Sequence, residues 1–181
     1  MSKDLLYCAI NSSTTPPDVG TKQVIDPSSE ENKNNISESI NQEDINSYSD
    51  YFSTSEILVI NHNKIKLIKN LQSFYNLRKL SLVDNLITKI KGLENCKLLE
   101  ELSLEKNRIS KIEGISHLQY LKKLDLGSNK IKVIENLEGL DNLTQLSLED
   151  NEIDSLKGLE SLNNLMELYI GNNCFTNLKQ I

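Results

Sequence analysis

Residues 99–120 read LEELSLEKNRISKIEGISHLQY, and the reading of this stretch decides the fold. Its apolar positions are Leu99, Leu102, Leu104, Ile109, Ile112, Ile115 and Leu118, with Asn107 between the third and the fourth. A step of 22 residues in either direction returns the same pattern: Leu143, Leu146, Leu148, Asn151, Ile153, Leu156, Leu159 and Leu162 repeat it two steps on. Asparagines stand at Asn63, Asn85, Asn107, Asn129, Asn151 and Asn173, with no insertion anywhere between them. Of the 41 apolar slots that this phase defines, only Ser55 is polar, counting Cys96 as a small hydrophobe. Neither an amphipathic helix nor a lone strand holds such a phase. The segment is therefore an array of coils, each burying its apolar side against the next.

Each slot has a physical reason. The Leu-x-Leu step alternates with period two, as a short strand does when one of its faces is buried. Strands of successive coils then pair in parallel. After the strand the chain turns inward under the next coil, where backbone N–H and C=O groups are cut off from water and each orphan costs about 1–3 kcal/mol. An Asn side chain carries both a donor and an acceptor, so stacked asparagines can satisfy one another's turns as a structural ladder. The column Ile65, Ile87, Ile109, Ile131 and Ile153, with Phe175 in the last unit, fills the space behind the turn. Three-residue apolar spacing from Ile112 to Leu118 suits 3₁₀ or short helical turns on the outer wall. Gly92, Gly114 and Gly158 share one column with Asn70 and Asn136, residues that accept left-handed backbone.

These residues resemble the leucine-rich repeat family, in its 22-residue class, over about residues 55–181. The resemblance implies an α/β solenoid: a curved, right-handed coil with a parallel sheet on the concave face and short 3₁₀ or helical turns on the convex face. It also implies a protein-binding function without catalysis and without a cofactor. The class includes a regulatory subunit of the type-1 serine/threonine phosphatase, axonemal dynein light chains and large ciliary or centrosomal scaffolds. Two expectations follow. One is an adaptor or regulatory subunit that presents its inner face to a protein such as that phosphatase. The other is a structural, cytoskeletal component of a cilium, axoneme or centrosome.

Charge divides the chain. Residues 1–50 hold three lysines against nine acids, a net of -6, which is the whole formal charge of the protein. The same stretch carries all three prolines and is rich in Ser, Asn and Thr. Residues 1–40 read as a disordered acidic tail, with too little apolar surface to offset an ordering cost of about 1–2 kcal/mol per residue. The tail is either a solvated leader or an interaction and phosphorylation segment around Ser28, Ser29, Ser37 and Ser39. Ile36, Ile40, Tyr48 and Phe52 are spaced by multiples of four, so residues 41–54 read as an N-terminal cap helix or else as the last of the tail. Residues 55–181 are six repeats, the last incomplete, and an open coil there would invite association or continue in a longer chain.

A pI of about 5.0 is wrong for a nucleic-acid partner, and no apolar run reaches the roughly 20 residues of a membrane helix. The three cysteines have no paired spacing, which suggests a reducing compartment: cytoplasmic, with nuclear or ciliary sites as variants.

On the inner face the central outward column is Val59, Ser81, Ser103, Asp125, Ser147 and Tyr169. The flanking columns add Lys79, Glu101, Lys123 and Glu167 on one side and Glu105 and Glu149 on the other. Partner contacts are expected at Glu101, Glu105, Asp125, Glu149 and Tyr169, an acidic tract closed by one aromatic. The phosphatase subunit's central column is largely acidic and aromatic; here only Asp125 and Tyr169 fit, and serines hold three of the six places. Enzyme chemistry finds no footing. His62 and His117 fall in different units on different faces, Cys96 is a core filler, Cys174 has no basic neighbour, and no phosphate loop or Cys-x-x-Cys pair occurs. Glu100 and Glu101 read as a solvated charge run. No metal or cofactor site is expected.

Overall fold

A computed structural model describes residues 53–176. The tail expected over 1–40 lies outside the described residues. So does the cap helix expected over 41–54, apart from Ser53 and Thr54, which are helical.

Six strands follow in sequence order, one per coil: β1 (Ile57–Val59), β2 (Lys79–Ser81), β3 (Glu101–Ser103), β4 (Lys123–Asp125), β5 (Gln145–Ser147) and β6 (Glu167–Tyr169). They form one parallel sheet in the order β1-β2-β3-β4-β5-β6, and every pairing aligns residues 22 apart, as Leu80 with Leu102 and Leu102 with Leu124. The sheet lines the concave face of the solenoid. The absence of insertions in the sequence becomes a sheet without register slips.

The middle residue of each of the first five strands is buried, whereas Leu168 of β6, in the last coil, is exposed. Leu58, Leu80, Leu102, Leu124 and Leu146 are all buried, and the isoleucines from Ile87 to Ile153 back them from behind the turn. Each such side chain contributes about 1.5–3 kcal/mol on burial, and one apolar core runs from Leu58 to Leu162, with Leu165 and Ile170 partly buried against it. Cys96 takes its slot within it, fully buried.

Asn107 shows how the turns are satisfied. Its Nδ2 donates to the Leu82 carbonyl of the preceding coil at 2.9 Å and to its own Leu104 carbonyl at 3.0 Å, while its Oδ1 accepts the Ile87 N–H at 3.0 Å. Asn85, Asn129, Asn151 and Asn173 repeat this set. The ladder asparagines do not bond one another; each ties the backbone of its own turn to that of the coil before. Asn63 in the first coil bonds the Asn61 carbonyl.

The outer wall is simpler than the resemblance implies. Single i+3 hydrogen bonds close it, as Leu93 with Cys96 at 2.9 Å and Ile115 with Leu118 at 2.9 Å, and among the described residues they do not consolidate into helices. The Gly/Asn column is left-handed as expected, from Asn70 (φ 64) through Gly92 (φ 88) to Gly158 (φ 105).

Candidate functional site

The sheet face carries the outward residues of each strand and of its two flanks. Ion pairs run across the coils here, because in-register parallel strands stack residues 22 apart side by side. Arg78 binds Glu100 at 2.5 Å, Glu100 binds Lys122 at 2.6 Å, and Glu56 lies 4.0 Å from Arg78. One column inward, Lys79 and Lys123 hold Glu101 between them at 2.9 and 3.6 Å. The Lys122 and Arg78 bonds hold the Glu100 carboxyl below its ordinary range, and the Lys79 bond does the same for Glu101. The two carboxylates thus belong to two separate columns of alternating sign. They are solvated, as adjacency in the sequence suggested, but each is ion-paired across the coils and they do not form one run of like charge.

The five expected contact residues therefore fall into two groups. Glu101 is neutralised between its lysines, and Glu105 is neutralised by Lys106 at 3.0 Å, which raises the lysine's own pKa. Asp125, Glu149 and Tyr169 lie further along the sheet. Asp125 Oδ1 accepts the Gly127 N–H at 3.0 Å, and neither it nor Glu149 has an ion-pair partner among the described residues. The Tyr169 hydroxyl donates to Glu167 Oε2 at 3.0 Å, and the Glu167 carboxylate, with Glu149 more weakly, pushes the phenol's pKa up.

The flanks and outward positions of β5 and β6 hold no cation at all; they carry Glu149, Asp150 and Glu167 beside Thr144, Gln145, Ser147 and Asn172. Among the described residues, the sheet-face and rim carboxylates without a Lys or Arg partner are Asp84, which bonds His62, and then Asp125, Glu149, Asp150 and Glu167 of the last three coils. The same end exposes apolar surface: Met166 is 82% accessible and Tyr169 43%. Column arithmetic named Asp125, Glu149 and Tyr169 but passed over Met166 as a contact, because a methionine before a strand carries no marker of exposure.

A second feature went unread. The residue before every ladder asparagine has left-handed backbone: His62, Asp84, Lys106, Ser128, Asp150 and Asn172, with φ between 52 and 56. These non-glycine residues form the rim of the sheet face and touch along it, His62 with Asp84 at 2.9 Å and Asn172 with Asp150 at 2.8 Å. His117 lies apart on the outer wall, its Nε2 3.0 Å from the Leu93 carbonyl. Among the described residues no group of three His, Cys, Asp or Glu side chains could hold a metal ion, and no helix is long and apolar enough to cross a membrane.

A family model for leucine rich repeat matches residues 97–153, and one for two copies of the repeat matches residues 75–117. No curated protein matches the chain. Among solved structures, internalin C2 of Listeria monocytogenes is 34% identical over 73% of this chain and 58% of its own, with a TM-score of 0.68. Internalin F of the same organism is 29% identical over 71% of this chain and 38% of its own, with a TM-score of 0.64. A leucine-rich repeat protein of Leptospira interrogans is 32% identical over 70% of this chain and 34% of its own, with a TM-score of 0.67. The chain thus spans from about a third to under two thirds of the length of these proteins. Phase, ladder and sheet agree with these matches: the chain carries leucine-rich repeats and folds as a leucine-rich repeat solenoid.

Proposed function

We propose that this protein is a non-enzymatic binding module, an adaptor or regulatory subunit, that takes a protein partner on the sheet face of its last three coils. Leucine-rich repeat domains generally mediate protein–protein interaction. The single observation that supports a site here is the coincidence of unneutralised carboxylates with exposed Tyr169 and Met166. Exposed aromatics and Met supply contact area at interfaces, and unpaired acids select a partner segment carrying Lys or Arg. Asp125 and Glu149 would pair with such cations and Tyr169 would stack or pack against them. Glu101 and Glu105, already neutralised, would contribute little.

For the partner's identity, the 22-residue phase makes the type-1 serine/threonine phosphatase the first protein to test. Titration of its catalytic subunit against the full chain should give saturable binding that falls at least tenfold in Glu149→Gln/Tyr169→Ala and stays within twofold in Glu101→Gln. No binding would remove the phosphatase assignment. Equal loss in both variants would remove the proposed site. A scaffold role in a cilium, axoneme or centrosome is the alternative reading; it predicts that the chain co-localises with such a structure through surfaces that Glu149→Gln/Tyr169→Ala leaves intact.

A further inference from the structure

Charge on the flank that follows each ladder asparagine is graded along the array. Residues 64–69 and 86–91 carry Lys64, Lys66, Lys69, Lys89 and Lys91 and no acid. The matching stretches of the third and fourth coils add Glu113 and Glu135, and in the fifth, Glu152 and Asp154 outnumber Lys157. All five lysines of the first two coils are exposed, and none has an ion-pair partner among the described residues. Further along, the same flank does form cross-coil pairs, Lys111 with Glu135 at 4.0 Å and Lys132 with Glu152 at 3.5 Å. Stacking thus brings such side chains within pairing distance, and in the first two coils it brings like charges together. Lys69 and Lys91 occupy one column, a coil apart.

The charge that would answer this flank belongs to the same chain. Residues 26–50 hold Asp26, Glu30, Glu31, Glu38, Glu43, Asp44 and Asp50 against Lys33 alone. The first strand begins at Ile57, seven residues after this segment, so the segment leads directly into the first coil. Two coils span only about 10 Å of sheet, and each residue of leader reaches up to about 3.5 Å. A segment tethered this closely meets the flank at an effective concentration in the millimolar range. We propose that the acidic leader, residues 26–50, docks along the basic flank of the first two coils, on Lys64, Lys66, Lys69, Lys89 and Lys91. The flank is separate from the sheet face, so the leader neutralises it while leaving Asp125, Glu149 and Tyr169 open. Phosphate added at Ser28, Ser29, Ser37 or Ser39 would strengthen the contact.

The test uses the full chain with a nitroxide at Ser39→Cys and with Cys8 and Cys174 replaced by Ser; Cys96 is buried and stays unlabelled. Paramagnetic broadening of the amide signals of residues 64–69 and 86–91 should exceed that of residues 152–157 severalfold at low salt. It should be lost near 0.5 M salt, where the Debye length is about 4 Å. It should also be lost when Glu30, Glu31, Glu38, Glu43 and Asp44 become Gln or Asn. That variant changes no residue of the described solenoid, so loss of broadening reports undocking and not unfolding. Equal broadening of the two flanks, or broadening that survives both salt and neutralisation, would overturn the proposal. Failure here would leave the sheet-face reading untouched, because the partner titration reads other residues.

Discussion

The Oδ1 of Asn107 accepts the backbone N–H of Ile87 at 3.0 Å, joining two coils at residues 20 apart in sequence. The same side chain serves three carbonyls through its Nδ2. Asn107→Ala leaves that buried N–H unpaired, while the Leu82 and Leu104 carbonyls keep the amides of Asn85 and Asn129. At about 1–3 kcal/mol for an orphaned group, the loss should be about 2 kcal/mol. Asn63→Ala, whose bond stays within its own turn, should lose less than half as much. Urea denaturation of the two variants beside the parent checks the order; equal losses would show that the ladder does not stabilise the stack.

Gly92 has φ 88, and a Cβ there would sit 2.4 Å from the Ile68 carbonyl oxygen, which is fixed backbone. Gly92→Ala should therefore destabilise by more than about 2 kcal/mol, since left-handed strain and the clash add. At Gly171 the added carbon meets only the movable Glu149 carboxylate at 3.4 Å, so Gly171→Ala should change stability by less than about 0.5 kcal/mol. Thermal unfolding of both proteins separates the cases.

The Cys96 thiol is pushed up from an ordinary 9.0 to about 11, first by burial and then by Glu94. Unfolding releases it to titrate normally. Stability from the neutral buried thiol is thus complete below about pH 9 and is lost as pH rises toward 11. The loss amounts to at most about 3 kcal/mol. The stability gap between the parent and Cys96→Ala, measured by denaturant titration at pH 8 and at pH 10.5, should narrow by more than about 1 kcal/mol. A gap that stays constant would place the thiol in contact with solvent.

Glu101 bridges Lys79 and Lys123, all three partly exposed. Glu101→Gln should cost less than about 1 kcal/mol, as solvated pairs do. Its larger effect should be electrostatic, since it frees two lysines on the sheet face. A Lys/Arg-bearing partner should then associate more slowly at low salt, with the difference gone at high salt. Stopped-flow association rates at two salt concentrations check this.

The solenoid was legible because its cause is periodic. Leu102, Asn107 and Ile109 recur at one spacing, and up to the fifth coil the recurrences correspond to buried or partly buried side chains and satisfied turns; in the last coil Leu168 and Phe175 keep the spacing but are exposed. The roles of Gly92 and Asn136 were legible for the same reason. The left-handed column from His62 to Asn172 was not, because its side chains share no chemistry; the turn imposes that backbone whatever residue stands there. Within the candidate site, the columns could be written out from the phase alone. Which carboxylates are free could not, since that depends on whether side chains 22 apart meet. Glu101 meets two lysines, and Asp125 meets none within pairing distance among the described residues.

The unbroken step of the sheet, with Leu80, Leu102 and Leu124 in one register, has a consequence for how such a molecule can change. A tandem duplication of one whole period adds a rung that finds its partners ready-made above and below. A single added codon inside a coil has no such ready-made place: it must bulge out of a turn or move that coil's own leucines and asparagine off their slots. Whole periods are therefore the step by which such an array lengthens or shortens with least damage to its sheet.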